Sequence, residues 1–177
     1  VQTAGALRAR IEALLLAGIA NSPMHNARIR VCGGNFVTAQ PLGVLDGVDF
    51  QHTGKVRRVD HEGIRAQLAL GNIVLLPPLG YSPTGEIFNL TKEDVAVSAA
   101  TALRADKLIL LEPAPLTDTA GQPLRDLPLT LAQTVLSANA TPALAAAIQA
   151  CQQGVERCHI LDCHTDGALL HELFTRD

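Results

Sequence analysis

The sequence predicts an α/β fold with a largely parallel sheet, and three observations support that. Two short apolar runs, Ile73–Leu76 and Leu108–Leu111, have the length and continuity of strands buried on both faces. Cys158–Leu161 reads as a third strand. Segments with helical periodicity or helix-capping residues separate these runs, and helices alternating with buried strands define an α/β arrangement. The length of 177 residues suits one domain.

Taken in order, Leu7, Ile11, Leu14 and Leu15 fall at helical spacing, so the N-terminal segment reads as an amphipathic helix ending near Gly18. Asn21–Pro23 is a breaker. Ile29 and Val31 alternate with Arg28 and Arg30, and Gly33-Gly34-Asn35 precedes Phe36–Ala39, which predicts a β-hairpin. A second hairpin is expected from Gly47–Phe50, through Thr53-Gly54, to Lys55–Asp60. Asp60 can cap a short helix with Ile64 and Leu68 turned inward and Gly71 closing it. Ile73–Leu76 is stopped by Pro77-Pro78. Thr91 and Asp94 have the spacing of a capping box and open a helix through Leu103. Leu108–Leu111 is ended by Pro113, and residues 112–128 are rich in turn formers. Thr141 with Pro142 marks a helix start and Gly154 its stop. Asp166 begins a last helix through Phe174.

Composition narrows the function. Aromatic residues are 3% and there is no Trp, which argues against the stacking platforms that hold single-stranded nucleic acid. A net charge of −3 offers no electrostatic footprint for duplex DNA or an anionic membrane. No apolar stretch of about 18 residues suggests a membrane span. Cys32, Cys151, Cys158 and Cys163 form no C-x-x-C pair and read as free thiols of a cytoplasmic protein. The chain begins at Val1 rather than Met, which reads as the start of a processed or excised piece.

Short motifs add no chemistry. Gly80–Gly85 has G-x-x-x-x-G spacing, but Glu86-Ile87 follows where a phosphate loop continues with Lys and Ser or Thr, so a turn is expected. Cys158, His159, Cys163 and His164 resemble metal ligands in type. On a strand, however, neighbouring residues point to opposite faces, and no metal is expected. No G-x-S-x-G elbow occurs. Lys55–Arg58 is followed at once by Asp60 and Glu62 and reads as a solvated hairpin.

Three longer stretches carry more. They are Gly43–Asp60 (GVLDGVDFQHTGKVRRVD), Pro78–Leu111 (PLGYSPTGEIFNLTKEDVAVSAATALRADKLILL) and Gly154–Asp177 (GVERCHILDCHTDGALLHELFTRD). In this order and spacing they resemble the amino-acid-kinase-like domain of bacterial N-acetylglutamate synthase, a relative of acetylglutamate kinase. The resemblance implies a three-layer α/β/α sandwich of the carbamate-kinase-like class. It further implies that residues 1–177 form a single partial domain, lacking its N-terminal part and separated from a C-terminal GNAT acetyltransferase domain. Synthases of this family acetylate L-glutamate with acetyl-CoA in the entry step of arginine biosynthesis. Their kinase-like domain binds the feedback inhibitor L-arginine and does not catalyse. The implied chain holds no cofactor of its own, and acetyl-CoA is a co-substrate of the parent. A homo-oligomer is expected.

The resemblance also assigns residues. Asp94 matches the aspartate that holds the kinase lysines, and Ala143 stands where the second lysine belongs. Glu112 replaces a nucleotide contact and Lys92 an amide that would hold substrate. Because phosphoryl transfer depends on positioning and charge stabilisation, these departures imply a vestigial nucleotide site. Glu172, in Glu172-Leu173-Phe174, matches the glutamate that holds the cationic end of arginine, and Lys107 is a second candidate for that pocket. A carboxylate accepting a bidentate guanidinium bond is the physical reason for the residue type. Two alternatives are an active acetylglutamate kinase, motivated by Asp94, and a non-catalytic oligomerisation module.

Overall fold

The computed structural model describes residues 1–16, 29–114, 116–117, 124, 126–138 and 140–174. The chain divides into two units, Val1–Ala99 and Ala100–Asp177. The α/β class with parallel strand pairs expected from the sequence is what the structure shows.

The first unit opens with helix α1 (Gln2–Leu16), which starts five residues before the first apolar position of its pattern. Its expected end at Gly18 and the breaker Asn21–Pro23 lie outside the described residues. An Arg8–Glu12 bond of 2.7 Å, one turn apart, supports the helix. Strands β1 (Val31–Cys32), β2 (Val37–Pro41), β3 (Val44–Leu45), β4 (Val48–Asp49) and β5 (Gly54–Val59) follow. Then come helix α2 (His61–Ala69), strands β6 (Ile73–Val74), β7 (Leu79–Tyr81) and β8 (Ile87–Asn89), and helix α3 (Lys92–Leu103).

Neither expected hairpin forms as written. β1 pairs in parallel with β6, so Gly33-Gly34-Asn35 leads out of one sheet and into another. β2 pairs with β5 antiparallel and with β7 in parallel, in a four-stranded sheet ordered β5-β2-β7-β8. The physical reason is burial: Val37 and Ala39 turn one face of β2 onto Phe88, Leu90 and Val95, with Val56 and Leu76 packed alongside. β4 pairs with β3 instead of β5. Their turn is Asp46-Gly47, both at positive φ, the geometry that two-residue hairpins favour.

Asp60 caps α2 as expected, its carboxylate accepting the Gly63 N–H, and Gly71 follows the helix at φ 76°. Ile64 is buried, but Leu68 is 46% exposed, so only one of the two expected inward residues packs. Ile73 is also exposed, at 40%, which corrects the expectation of a strand covered on both faces. Pairing with the two-residue β1 leaves that side open among the described residues. The expected turn covers only 82–86, between β7 and β8, because Gly80 and Tyr81 belong to β7; the Gly85 N–H donates to the Ser82 carbonyl, at φ 89°. Glu86 turns its carboxylate back onto the Ser82 and Thr84 hydroxyls, so a carboxylate sits where a phosphate would.

A tight approach in this sheet yields a stability test. A Cβ on Gly80 would lie 2.6 Å from the Ala39 Cβ and 2.9 Å from the Leu90 Cδ1. Gly80→Ala is therefore expected to destabilise the protein by about 1–3 kcal/mol, measured as a lower urea midpoint at unchanged slope.

The second unit holds strand β9 (Lys107–Glu112), helices α4 (Leu129–Ala138) and α5 (Pro142–Gln152), strand β10 (Arg157–Asp162) and helix α6 (Ala168–Phe174). β9 and β10 pair in parallel over six residues, from Lys107 opposite Arg157 to Glu112 opposite Asp162. Thr141 caps α5 through its hydroxyl to the Leu144 N–H, Pro142 opens the first turn, and Gly154 follows at φ 100°. α4 follows the turn-rich residues 112–128, in a stretch for which the sequence predicts no element. Its Ala132 packs on Leu144 and Ile148 of α5, with Ile160 of β10 alongside. α6 begins two residues later than expected. The Asp162 carboxylate accepts from the His164 N–H and the Thr165 hydroxyl, holding residues 163–165 in a turn first. No helix among the described residues is long and apolar enough to cross a membrane.

Candidate functional site

Strand alternation organises the site. Cys158 and Ile160 face α5, where the Cys158 Sγ lies 3.4 Å from the Cys151 Sγ. His159, one residue along, faces the other way and meets α6. Lys107 stands opposite Arg157 in the register, so it shares the His159 face one step along the pair.

On that face three titratable side chains converge. The Lys107 Nζ donates to the Glu172 Oε1 at 2.5 Å and to the Glu172 carbonyl oxygen at 3.3 Å. The His159 Nδ1 lies 3.2 Å from the same carboxylate oxygen. Glu172 keeps 20% exposure and Lys107 28%, so the pair is accessible without being fully solvated. The Lys107 hydrogen bond holds the Glu172 carboxyl below the usual glutamate range. Partial burial opposes this, and the charges of His159, Lys107 and His171 reinforce it. The His159 Nε2 is buried without a hydrogen-bond partner among the described residues.

Glu172 and His159 border a cavity of about 350 Å³ whose remaining wall includes Leu116, Leu127, Leu144 and Ile148. Four consecutive residues of β10, Cys158–Leu161, line it, so it runs along the strand's edge and not over one face. An apolar hollow lined by a carboxylate, to which the Lys107 ammonium is paired, suits a small ligand with an aliphatic body and charged ends. The thiols of Cys151 and Cys158 also line it. Burial, with the Cys151 thiol alongside, pushes the Cys158 thiol up to about 12. At pH 8 Cys158 is then held as the thiol. Iodoacetamide at that pH should modify exposed Cys163 first and Cys158 last, as read by peptide mass spectrometry.

The positions read as vestigial kinase residues fall on three elements, α3, β9 and α5. Asp94 lies in the first turn of α3, and its backbone N–H bonds to the Thr91 hydroxyl at 3.2 Å. Its carboxylate accepts the Val56 N–H at 2.7 Å and the Ser98 hydroxyl at 3.4 Å, tying the helix to β5. Lys92 is exposed, 3.7 Å from Glu93. Glu112 ends β9, its carbonyl accepting the Cys163 N–H. Ala143 is sealed in the first turn of α5 at 2% exposure. Of the sequence-predicted residues, then, Lys107 and Glu172 are brought together and the other four are not part of that cluster. The sequence presents His159 only as a candidate metal ligand. Its place beside Glu172 needed the strand pairing and could not be read from spacing. Among the described residues, Asp162, Cys163 and His164 have the only grouping of ligand atoms suited to a metal, and all but Asp162 are exposed.

The fold and the matched residues define the class. The model of the amino acid kinase family matches residues 1–162, and the chain belongs to that family. More particularly, it is 54% identical over 182 aligned residues to the amino-acid acetyltransferase of Azotobacter vinelandii, covering 100% of this chain and 42% of that protein. The chain thus spans about two fifths of the length of the curated relatives it matches. It is 38% identical to N-acetylglutamate synthase from Neisseria gonorrhoeae complexed with coenzyme A and L-arginine, with a TM-score of 0.88 over 99% of this chain and 42% of that one. Against the same synthase complexed with coenzyme A and N-acetyl-glutamate the TM-score is 0.86, at 37% identity over 99% of this chain and 40% of that one. Glu172 lies beyond the residues that the family model matches but within the part covered by these relatives.

Proposed function

We propose that this chain is the arginine-sensing domain of an N-acetylglutamate synthase, and that the whole protein transfers an acetyl group from acetyl-CoA to L-glutamate at the start of arginine biosynthesis. The observation that carries the reading is the Lys107–Glu172–His159 cluster, of which Glu172 and His159 line an apolar cavity. L-Arginine is a zwitterion with a cationic side chain. Glu172 would accept its guanidinium, Lys107 would receive its carboxylate, and the aliphatic wall would cover its methylenes. Inserting such a ligand opens one internal ion pair and forms two, which favours ligands carrying both charges over simple cations. The similarity to a synthase complexed with coenzyme A and L-arginine supports the reading.

The chain itself is proposed to be non-catalytic and to hold no cofactor, acetyl-CoA serving elsewhere in the protein. Regulation would follow if arginine bound two subunit arrangements with different affinity. The exposed Leu7, Leu14 and Leu16 of α1 support a homo-oligomer, here proposed to be cytoplasmic.

Calorimetric titration tests the site. L-Arginine should bind saturably, whereas L-citrulline, whose side chain has a similar shape but no charge, should bind at least about tenfold more weakly. Equal affinity for the two, or no heat with either, would overturn the site. For the whole protein, glutamate acetylation that arginine leaves untouched would overturn the regulatory role.

A further inference from the structure

We propose a second ligand site in the first unit, on the outer face of the β5-β2-β7-β8 sheet, that takes a small organic dianion bearing carboxylate or phosphate groups. The site is built by a bulge. Thr38 pairs with Arg58, but Ala39 pairs with Val56, so Arg57 is an extra residue on β5. Along Gly54–Val59, burial alternates as far as Val56. Arg57 and Arg58 are then both exposed before Val59 is buried again. A regular strand would send two consecutive arginines to opposite faces. The bulge turns both outward, and both line one cleft of about 510 Å³.

The register supplies the rest of the wall. Thr38 lies between Arg58 on one side and Tyr81 on the other, a row of three across the sheet. Asn35 and Ser82 complete the polar rim. Among the described residues, no acidic side chain lines the cleft. Glu86, in the adjoining turn, is engaged by the Ser82 and Thr84 hydroxyls, and Asp60 by the Gly63 N–H. Among the described residues, no ion pair or hydrogen bond occupies either guanidinium, the Tyr81 hydroxyl or the Thr38 hydroxyl. Two guanidinium forks beside hydroxyl and amide donors, with no carboxylate facing them, match the oxygen edges of an oxyanion. The volume falls within the range of small-molecule clefts. Cationic L-arginine does not fit this chemistry, so the inference is independent of the proposed Glu172 site.

Tyr81 makes the test direct. It is the only tyrosine, and the chain has no Trp, so near-ultraviolet-excited emission reports this cleft alone. The chain should be titrated with inorganic phosphate and, separately, with glutarate, each against potassium chloride at matched ionic strength. The expected result is a saturable change in Tyr81 emission with at least one of the two anions. A response to one alone identifies the class as phosphate or dicarboxylate. In the double variant Arg57→Ala with Arg58→Ala, the half-saturating concentration should rise about tenfold or more. The double variant Arg57→Lys with Arg58→Lys keeps the charge but loses the forks, and should fall between. Both arginines are exposed, and far-ultraviolet circular dichroism verifies that the variants fold. Glu172→Gln should leave the response unchanged. No saturable change with either anion, or an undiminished one in the double alanine variant, would overturn the site.

Discussion

Glu172→Gln is expected to weaken L-arginine binding about 30-fold, measured by calorimetry on the 177-residue chain. The magnitude follows from the kind of bond lost. Removing one member of a hydrogen-bonded charge pair costs about 2–5 kcal/mol, and the 20% exposure of this carboxylate favours the lower end. Glutamine preserves shape and one acceptor, so what it tests is the charge. Unchanged affinity would remove Glu172 from the site. The pH dependence has a definite sign. Glu172 has a folded-state pKa below its unfolded value, so the contribution of its ionised form is fully present above the ordinary glutamate range. It is lost only as pH falls through the lower folded value. Arginine affinity governed by this carboxylate should therefore hold from pH 7 down to about pH 5 and decline only in stronger acid. A decline already complete at pH 5 would mean that another group controls binding.

The contrast between the two halves of this site shows what a single sequence can carry. The caps Asp60 and Thr141 were legible because their partners, Gly63 and Leu144, lie three residues away. Pairing is not local. Nothing near Val31 announces that its partner is Ile73, or that β2 will choose β5 over the strand before it. Both expected hairpins fail for that reason, while the β3–β4 hairpin beside them forms on the local signal of Asp46-Gly47. Lys107 and Glu172 are 65 positions apart. Resemblance could nominate each, but only the β9–β10 register sets His159 on the same face. The Arg57 bulge is harder still, because Lys55–Arg58 has no feature that separates a solvated run from one with its phase shifted by one residue.

Ala143→Lys should lower the melting temperature by about 10 °C and create no ATP-dependent phosphorylation of N-acetylglutamate. In the resemblance to acetylglutamate kinases, position 143 is where a lysine would face the transferring phosphate. Here the alanine side chain is 2% exposed and sits beside buried Leu144, Ala146 and Ala147 in α5. A lysine at this place has two options. It can bury its ammonium among aliphatic groups, or it can open the first turn that Thr141 and Pro142 hold. Either costs about 2–5 kcal/mol, through overpacking and loss of hydration. At about 2–4 °C per kcal/mol for a chain of this size, the expected fall in melting temperature follows. Calorimetric melting reads the first half and a coupled assay for ADP release the second. A variant as stable as the parent would mean that position 143 opens onto a cavity as it must in a kinase. ATP turnover in that variant would mean that the nucleotide site lacks only one cation.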